Sequence, residues 1–130
     1  MGPAADGEGA ATGRVADCLF CRIVAGEIPA DVVHNDRHTL AFRDINPQAP
    51  VHVLVVPKRH MENAAAVTAQ DGDILAAMVE AAREVATAEG MAAPDRGYRL
   101  VFNVGPDALN SVAHLHLHVL GGRTFGWPPG

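Results

Sequence analysis

Hydrophobic and polar positions along the chain predict two helices and five strands. Leu19, Phe20, Ile23 and Val24 recur at helical spacing. They predict a short helix from about Cys18 to Ala25, with Asp17 as N-cap and Gly26 ending it. Val32, Val33 and His34 begin a strand, Asn35-Asp36 supplies a turn, and Thr39 to Arg43 returns as the second arm of a hairpin. Asn46-Pro47 and Ala49-Pro50 mark a loop. Val51 to Val56 is a β-branched run stopped by Pro57. Thr68-Ala69-Gln70-Asp71 resembles a capping box with Asp in place of Glu. Behind it, Ile74, Leu75, Met78, Val79, Ala82, Val85 and Ala86 recur at three- and four-residue steps, with Glu80, Arg83 and Glu84 opposite, up to Gly90. This stripe is core packing and carries no chemistry. Arg99 to Val104 is a further strand and Gly105-Pro106-Asp107 a turn. Asn110-Ser111 then opens the last strand, which Gly121-Gly122 closes. Hairpin-like links and one long helical crossover make this an α+β fold with a mostly antiparallel sheet.

The last strand holds the chemistry. His114-Leu115-His116-Leu117-His118-Val119-Leu120 alternates strictly, the signature of a half-buried strand. Successive side chains of a strand point to opposite faces. Leu115, Leu117 and Val119 are therefore assigned to the core, and His114, His116 and His118 to one row on the other face. Histidine has no special strand propensity, so three in register need another reason. The row can hold a metal, or it can supply a nucleophile with its supporting acids and bases.

Composition narrows the partners. The 130 residues make one domain with a tail, and a hydrophobic fraction of 48% sustains a real core. Residues 1–16, rich in Gly and Ala, cannot offset their ordering entropy and read as a flexible tail; residues 17–130 form the domain. A formal net charge of -5 with no basic block argues against nucleic acid, while backbone N–H groups can still hold a small phosphate. No apolar run is long enough to span a bilayer, so no membrane partner is expected. The first residues lack the pattern of a secretory signal, which makes the cytoplasm the expected location. The two cysteines, Cys18 and Cys21, sit three apart and suggest a metal or redox pair rather than a structural disulfide.

Several blocks then carry a resemblance: CLFCRIVAGEIPA, AFRDINPQAPVHVLVVPKRH, Asn103 onward through HLHLHVLGGR, and the terminal WPPG. Over roughly Asp17 to Gly130 the chain resembles the histidine triad (HIT) proteins, specifically the Hint branch of purine nucleoside phosphoramidases. The resemblance implies a five-stranded sheet continued across a homodimer. It also implies a purine nucleoside monophosphate or phosphoramidate held against the His row, of the adenosine 5'-phosphoramidate or aminoacyl-AMP and lysyl-AMP type. Its P–N bond would be hydrolysed through a nucleotidyl-histidine intermediate. A dinucleoside polyphosphate hydrolase shares the row, but the terminal WPPG argues against that reading. A zinc-stabilised nucleotide-binding scaffold with little turnover is the remaining alternative.

Residue by residue, the resemblance makes His116 the nucleophile, His118 a holder of a phosphate oxygen, and Ser111 a donor to the leaving group. Asn103 and Asn110 contact the phosphate or leaving group, and Asp44 the ribose hydroxyls. Ile45 forms part of the pocket, and Trp127 reaches toward the partner subunit's site. His52 begins a strand and is expected to brace His114 from behind. Leu109-Asn110 stands where the branch has Gly-Gln, and leucine does not take positive φ freely, so a different loop shape is expected. Relatives with such a cysteine pair hold zinc with two thiols and two imidazoles, here Cys18, Cys21, His60 and His114. Four protein ligands make a closed structural site. No organic cofactor is expected.

Overall fold

The computed structural model describes residues 14–130. The expected flexible tail over 1–16 lies mostly outside the described residues. Of its last three residues, Arg14 pairs with Glu27 at 2.6 Å and the Val15 N–H donates to Cys21 Sγ at 3.3 Å.

The elements run α1 (Leu19–Val24), β1 (Val32–Asn35), β2 (Thr39–Arg43), β3 (Val51–Pro57), α2 (Gly72–Ala88), β4 (Tyr98–Val101) and β5 (Leu117–Gly121). All pairings are antiparallel, in the order β1-β2-β3-β5-β4. The α+β expectation of five strands and two helices therefore holds.

Each sheet face buries a different set of side chains. On one face, Val53, Val55, Leu115, Leu117 and Val119 pack with Met78, Ala81, Ala82, Val85 and Ala86 of α2. On the other, Leu40, Phe42, Leu54 and Val56 pack with Phe20 of α1. The stripe read from the sequence is thus the buried face of α2 except at Val79, which is exposed, while Ala81, not counted in the stripe, is buried. Its start carries the expected capping box: Thr68 and Asp71 cap reciprocally, at a single 3₁₀ turn leading into the helix.

Three local expectations need correction. The N-cap of α1 is Cys18, not Asp17: its Sγ accepts from the Cys21 N–H at 3.3 Å, a role the larger sulfur fills in place of a carboxylate. β4 ends at Val101 rather than Val104. β5 begins at Leu117, not near Ser111 or His114, and the reason is Pro57. Val55 pairs with Leu117, so the next step of the register would set Leu115 against Pro57, which has no N–H to give. The Leu115 N–H donates to the Met61 carbonyl instead, at 2.6 Å.

Candidate active site and metal centre

Because the ladder stops at Leu117, the three triad imidazoles do not form one uniform row. His114 is fully buried, while His116 and His118 are half-buried. His114 Nε2 lies 2.9 Å from the Pro57 carbonyl, the acceptor that β5 leaves unused. A carbonyl only accepts, so Nε2 carries the proton and Nδ1 presents a lone pair.

That lone pair enters a cluster. His114 Nδ1 is 3.2 Å from Cys18 Sγ, 3.5 Å from Cys21 Sγ and 3.1 Å from His60 Nδ1, and His60 Nδ1 is 3.4 Å from Cys21 Sγ. All four ligand atoms lie within 4.8 Å of one another. A tetrahedral zinc with Zn–S of about 2.3 Å and Zn–N of about 2.0–2.1 Å holds its ligand atoms roughly 3.3–3.8 Å apart. The spacing fits. So does the chemistry. Burial pushes His114 down to about 4, helped by the neighbouring imidazoles against the Pro57 bond, and burial also lowers His60. Both rings are therefore neutral ligands near pH 7. Burial pushes the Cys21 thiol up to about 11, with Cys18 adding to the rise. A metal held here would take the two sulfurs as thiolates and supply the positive charge that burial otherwise denies them. Both cysteines are free rather than disulfide-bonded.

The second cluster starts from the backbone. The Gln48 N–H donates to His52 Nδ1 at 3.0 Å, so a neutral His52 keeps its proton on Nε2. That nitrogen is 2.8 Å from His118 Nδ1 and 3.4 Å from Asp44 Oδ2. His118 Nδ1 therefore accepts, and its proton sits on Nε2, 3.5 Å from the Asn103 amide. Burial pushes His118 down to about 4, with His116 and His52 adding and Asp44 opposing. The ring is thus a neutral donor at neutral pH. The expectation that His52 braces His114 is wrong. His52 pairs with Leu120 and His118 with Leu54, so the register sets His52 diagonal to His118, two pairs short of His114.

Between the clusters lies His116. Its Nδ1 is 2.7 Å from the main-chain carbonyl of His114, which places the proton on Nδ1 and the lone pair on Nε2. Its ring packs 5.0 Å from His118 and edge-on against buried Phe20 at 5.2 Å.

The remaining expected residues form the surroundings. The Asp44 carboxylate accepts from the Asn46 N–H at 2.8 Å. Ile45 is fully exposed beside it, and Ser111 is exposed. Asn110 Oδ1 is the buried side-chain polar atom without a hydrogen-bond partner among the described residues. Leu109 takes φ 61, the left-handed conformation that glycine adopts most easily. Trp127 is 84% exposed, with the Arg99 guanidinium 6.0 Å from its ring. Sequence reading missed Phe20 as a wall of His116 and the Gln48–His52–His118 chain. Strand parity was the available signal for the second, since His52 and the His row fall on one face once β3 and β5 are paired.

An α+β scaffold that sets a proton-ordered imidazole pair beside a Cys₂His₂ cluster defines a narrow class of protein. Residues 25–125 match the HIT domain model, and the chain belongs to the HIT family. A crystal structure described as a HIT family hydrolase from Legionella pneumophila superposes with a TM-score of 0.84 at 51% identity, covering 88% of this chain and 100% of that one. A 14 kDa zinc-binding protein of Brassica juncea is 44% identical over 116 residues, covering 88% of this chain and all of that protein. A histidine triad nucleotide-binding protein from Candida albicans aligns with a TM-score of 0.71 at 29% identity, covering 88% and 85% of the two chains.

Proposed function

We propose that this chain is a hydrolase that cleaves the P–N bond of purine nucleoside phosphoramidates through a nucleotidyl-histidine on His116. The observation that carries this reading is the 2.7 Å contact of His116 Nδ1 with the His114 carbonyl. It leaves Nε2 as a bare nucleophile, and the same bond stabilises the positive ring once Nε2 is substituted. The Nε2 lone pair attacks phosphorus, the P–N bond breaks, and the leaving nitrogen takes a proton from solvent, relayed through the exposed Ser111 hydroxyl. Water then attacks the phosphorus–imidazole bond, releasing nucleoside monophosphate and restoring His116.

His118 presents its Nε2–H to a phosphate oxygen, and His52 keeps it in that tautomer. Such positioning dominates phosphoryl-transfer catalysis. Asp44 holds the ribose hydroxyls, Ile45 lines the sugar and base pocket, and Asn103 lies beside the phosphate. Asn110 Oδ1, a buried acceptor without a partner, suits the N–H that a phosphoramidate carries and a phosphate ester lacks. Zinc held by Cys18, Cys21, His60 and His114 supplies charge for the two sulfurs and a closed structural shell. The open edge of β4 is where a second subunit extends the sheet and brings its Trp127 to the leaving-group side.

Incubation with adenosine 5'-phosphoramidate, quenched and analysed by peptide mass spectrometry, is expected to show an adenylyl adduct on His116. His116→Ala should lose the adduct and on the order of 10⁴-fold or more in rate. Turnover surviving that change, or an adduct on another residue, refutes the assignment.

A further inference from the structure

The sulfur–imidazole cluster and the candidate nucleophile are joined at two independent points. His114 gives its ring Nδ1 to the cluster and its main-chain carbonyl to His116 Nδ1, at 2.7 Å. Phe20 stands between Cys18 and Cys21 in the sequence. It is 5% exposed and packs edge-on against both rings, 5.9 Å from His114 and 5.2 Å from His116. The ligand set therefore fixes both the acceptor that orders the proton on His116 and the wall that stops the ring from turning.

From this we infer that metal binding at Cys18, Cys21, His60 and His114 positions the nucleophile, with Phe20 and the His114 carbonyl as the connecting groups. The inference rests on His116 acting as nucleophile. Its physical basis is the weakness of the parts without a cation. α1 has only six residues, too few to persist without tertiary anchors. Its ties to the cluster run through Cys18 and Cys21, which flank Phe20 in the sequence. Releasing the ligands leaves α1 held only by its packing on Leu40, Phe42, Leu54 and Val56, and residue 114 only by its Pro57 contact, so both loosen together. The His116 ring is then held less firmly by its acceptor and its wall, and a share of the molecules carries the ring proton on Nε2, where it blocks attack. Nucleotide contacts through Asp44, Asn103 and His118 come from β3, β5 and their flanking loops and do not depend on the cluster.

The experiment uses the full chain, zinc-loaded and chelator-stripped, with folding checked by circular dichroism. Long-range ¹⁵N–¹H spectra of histidine-labelled protein, assigned by difference with His116→Gln, read the tautomer without any turnover. The loaded protein should show His116 in the Nδ1–H form alone, and the stripped protein a mixture. For adenosine 5'-phosphoramidate kcat should fall about 10²-fold, as misplacement by about an ångström does, with the AMP Kd changed less than about 3-fold. Phe20→Leu keeps all four ligands and covers the case of a stripped protein that unfolds. In its loaded form, zinc content should remain one per chain while kcat drops about 10-fold and KM stays within about 2-fold. An unchanged His116 tautomer and rate in folded, stripped protein overturn the coupling, as does a loaded Phe20→Leu variant with unaltered kcat. Failure of the phosphoramidase reading has a different signature: no adduct forms even on loaded protein, while the tautomer spectra still decide the coupling.

Discussion

His118 shows how burial sets chemistry at the scale of one residue. Its ring is pushed down to about 4, first by burial and then by its imidazole neighbours. An unfolded histidine binds its proton near 6.5. Between those values the unfolded chain carries more protons than the native one. Stability is therefore unaffected by this ring above about pH 7 and falls as the pH drops from about 6.5 toward 4. A ring-resolved NMR titration should place the His118 midpoint well below 6, and a midpoint near 6.5 would mean that the ring is solvated. In the proposed reaction its Nε2–H is one oriented donor to phosphate, so His118→Ala should cost about 10²–10³-fold in kcat, the usual loss for such a donor. Leu109 illustrates the opposite, a residue at odds with its backbone. Its side chain is 84% exposed and contributes little packing, yet its φ is 61. A left-handed conformation costs a branched-chain residue roughly 1–2 kcal/mol, and Asn accepts it far more readily. Leu109→Asn should therefore stabilise the chain by about 1 kcal/mol in thermal or urea denaturation, and Leu109→Val should destabilise it.

Among the elements, what could be read from the sequence was what periodicity and capping encode. The Thr68–Asp71 box, the β1–β2 hairpin, the β3 run and the α2 stripe, Val79 excepted, stand where their patterns put them. Patterns do not carry register, and the misplaced start of β5 and the misassigned partner of His52 follow from that. Alternation over His114–Leu120 looks the same whether or not a partner strand is present, so the start of β5 depended on the missing N–H of Pro57. His52 could not be matched to His118 until β3 and β5 were aligned. The cysteine pair was legible as a ligand set through spacing and resemblance, but Phe20 between the cysteines reads only as one more apolar residue. A further tie between elements was hidden in a glycine. A Cβ on Gly121, the last residue of β5, would lie 2.0 Å from Sδ of Met91, which is 1% exposed just beyond α2. Gly121→Ala should destabilise by about 1–3 kcal/mol through overpacking. In a Met91→Ala background the same change should be nearly neutral, giving a coupling of about 1 kcal/mol or more in a double-mutant cycle. Additive effects would show that the two sites do not meet.

At the scale of the whole molecule, the sheet decides where a second copy can attach. β1 and β4 are the two edges, but they are not equivalent. The β1 pairing with β2 carries a register shift between Val32 and His34, an irregularity of the kind that blunts an edge. β4 pairs with β5 without a shift, and its Leu100 is 39% exposed. β4 also leads directly to the loop bearing Asn103, and Arg99 on it contacts the C-terminal segment, donating to the Gly126 carbonyl and lying over the Phe125 and Trp127 rings. Pairing β4 with its symmetry mate would bring two such terminal segments together near the shared edge, each close to the other subunit's phosphate loop. Exposed Trp127 would gain a surface to cover it, an outcome consistent with the enrichment of tryptophan at interfaces. Light scattering should then give twice the 13.6 kDa chain mass, and Leu100→Glu, which sets like charges against each other across a two-fold axis, should shift the protein to monomer. Should Trp127 act on the partner's leaving-group side, that monomer retains the His116 adduct but loses discrimination among leaving amines, and Trp127→Ala in the dimer reproduces the loss without changing the mass. A monomeric wild type, or a Trp127→Ala dimer with unchanged preference among amines, would confine the whole reaction to a single chain.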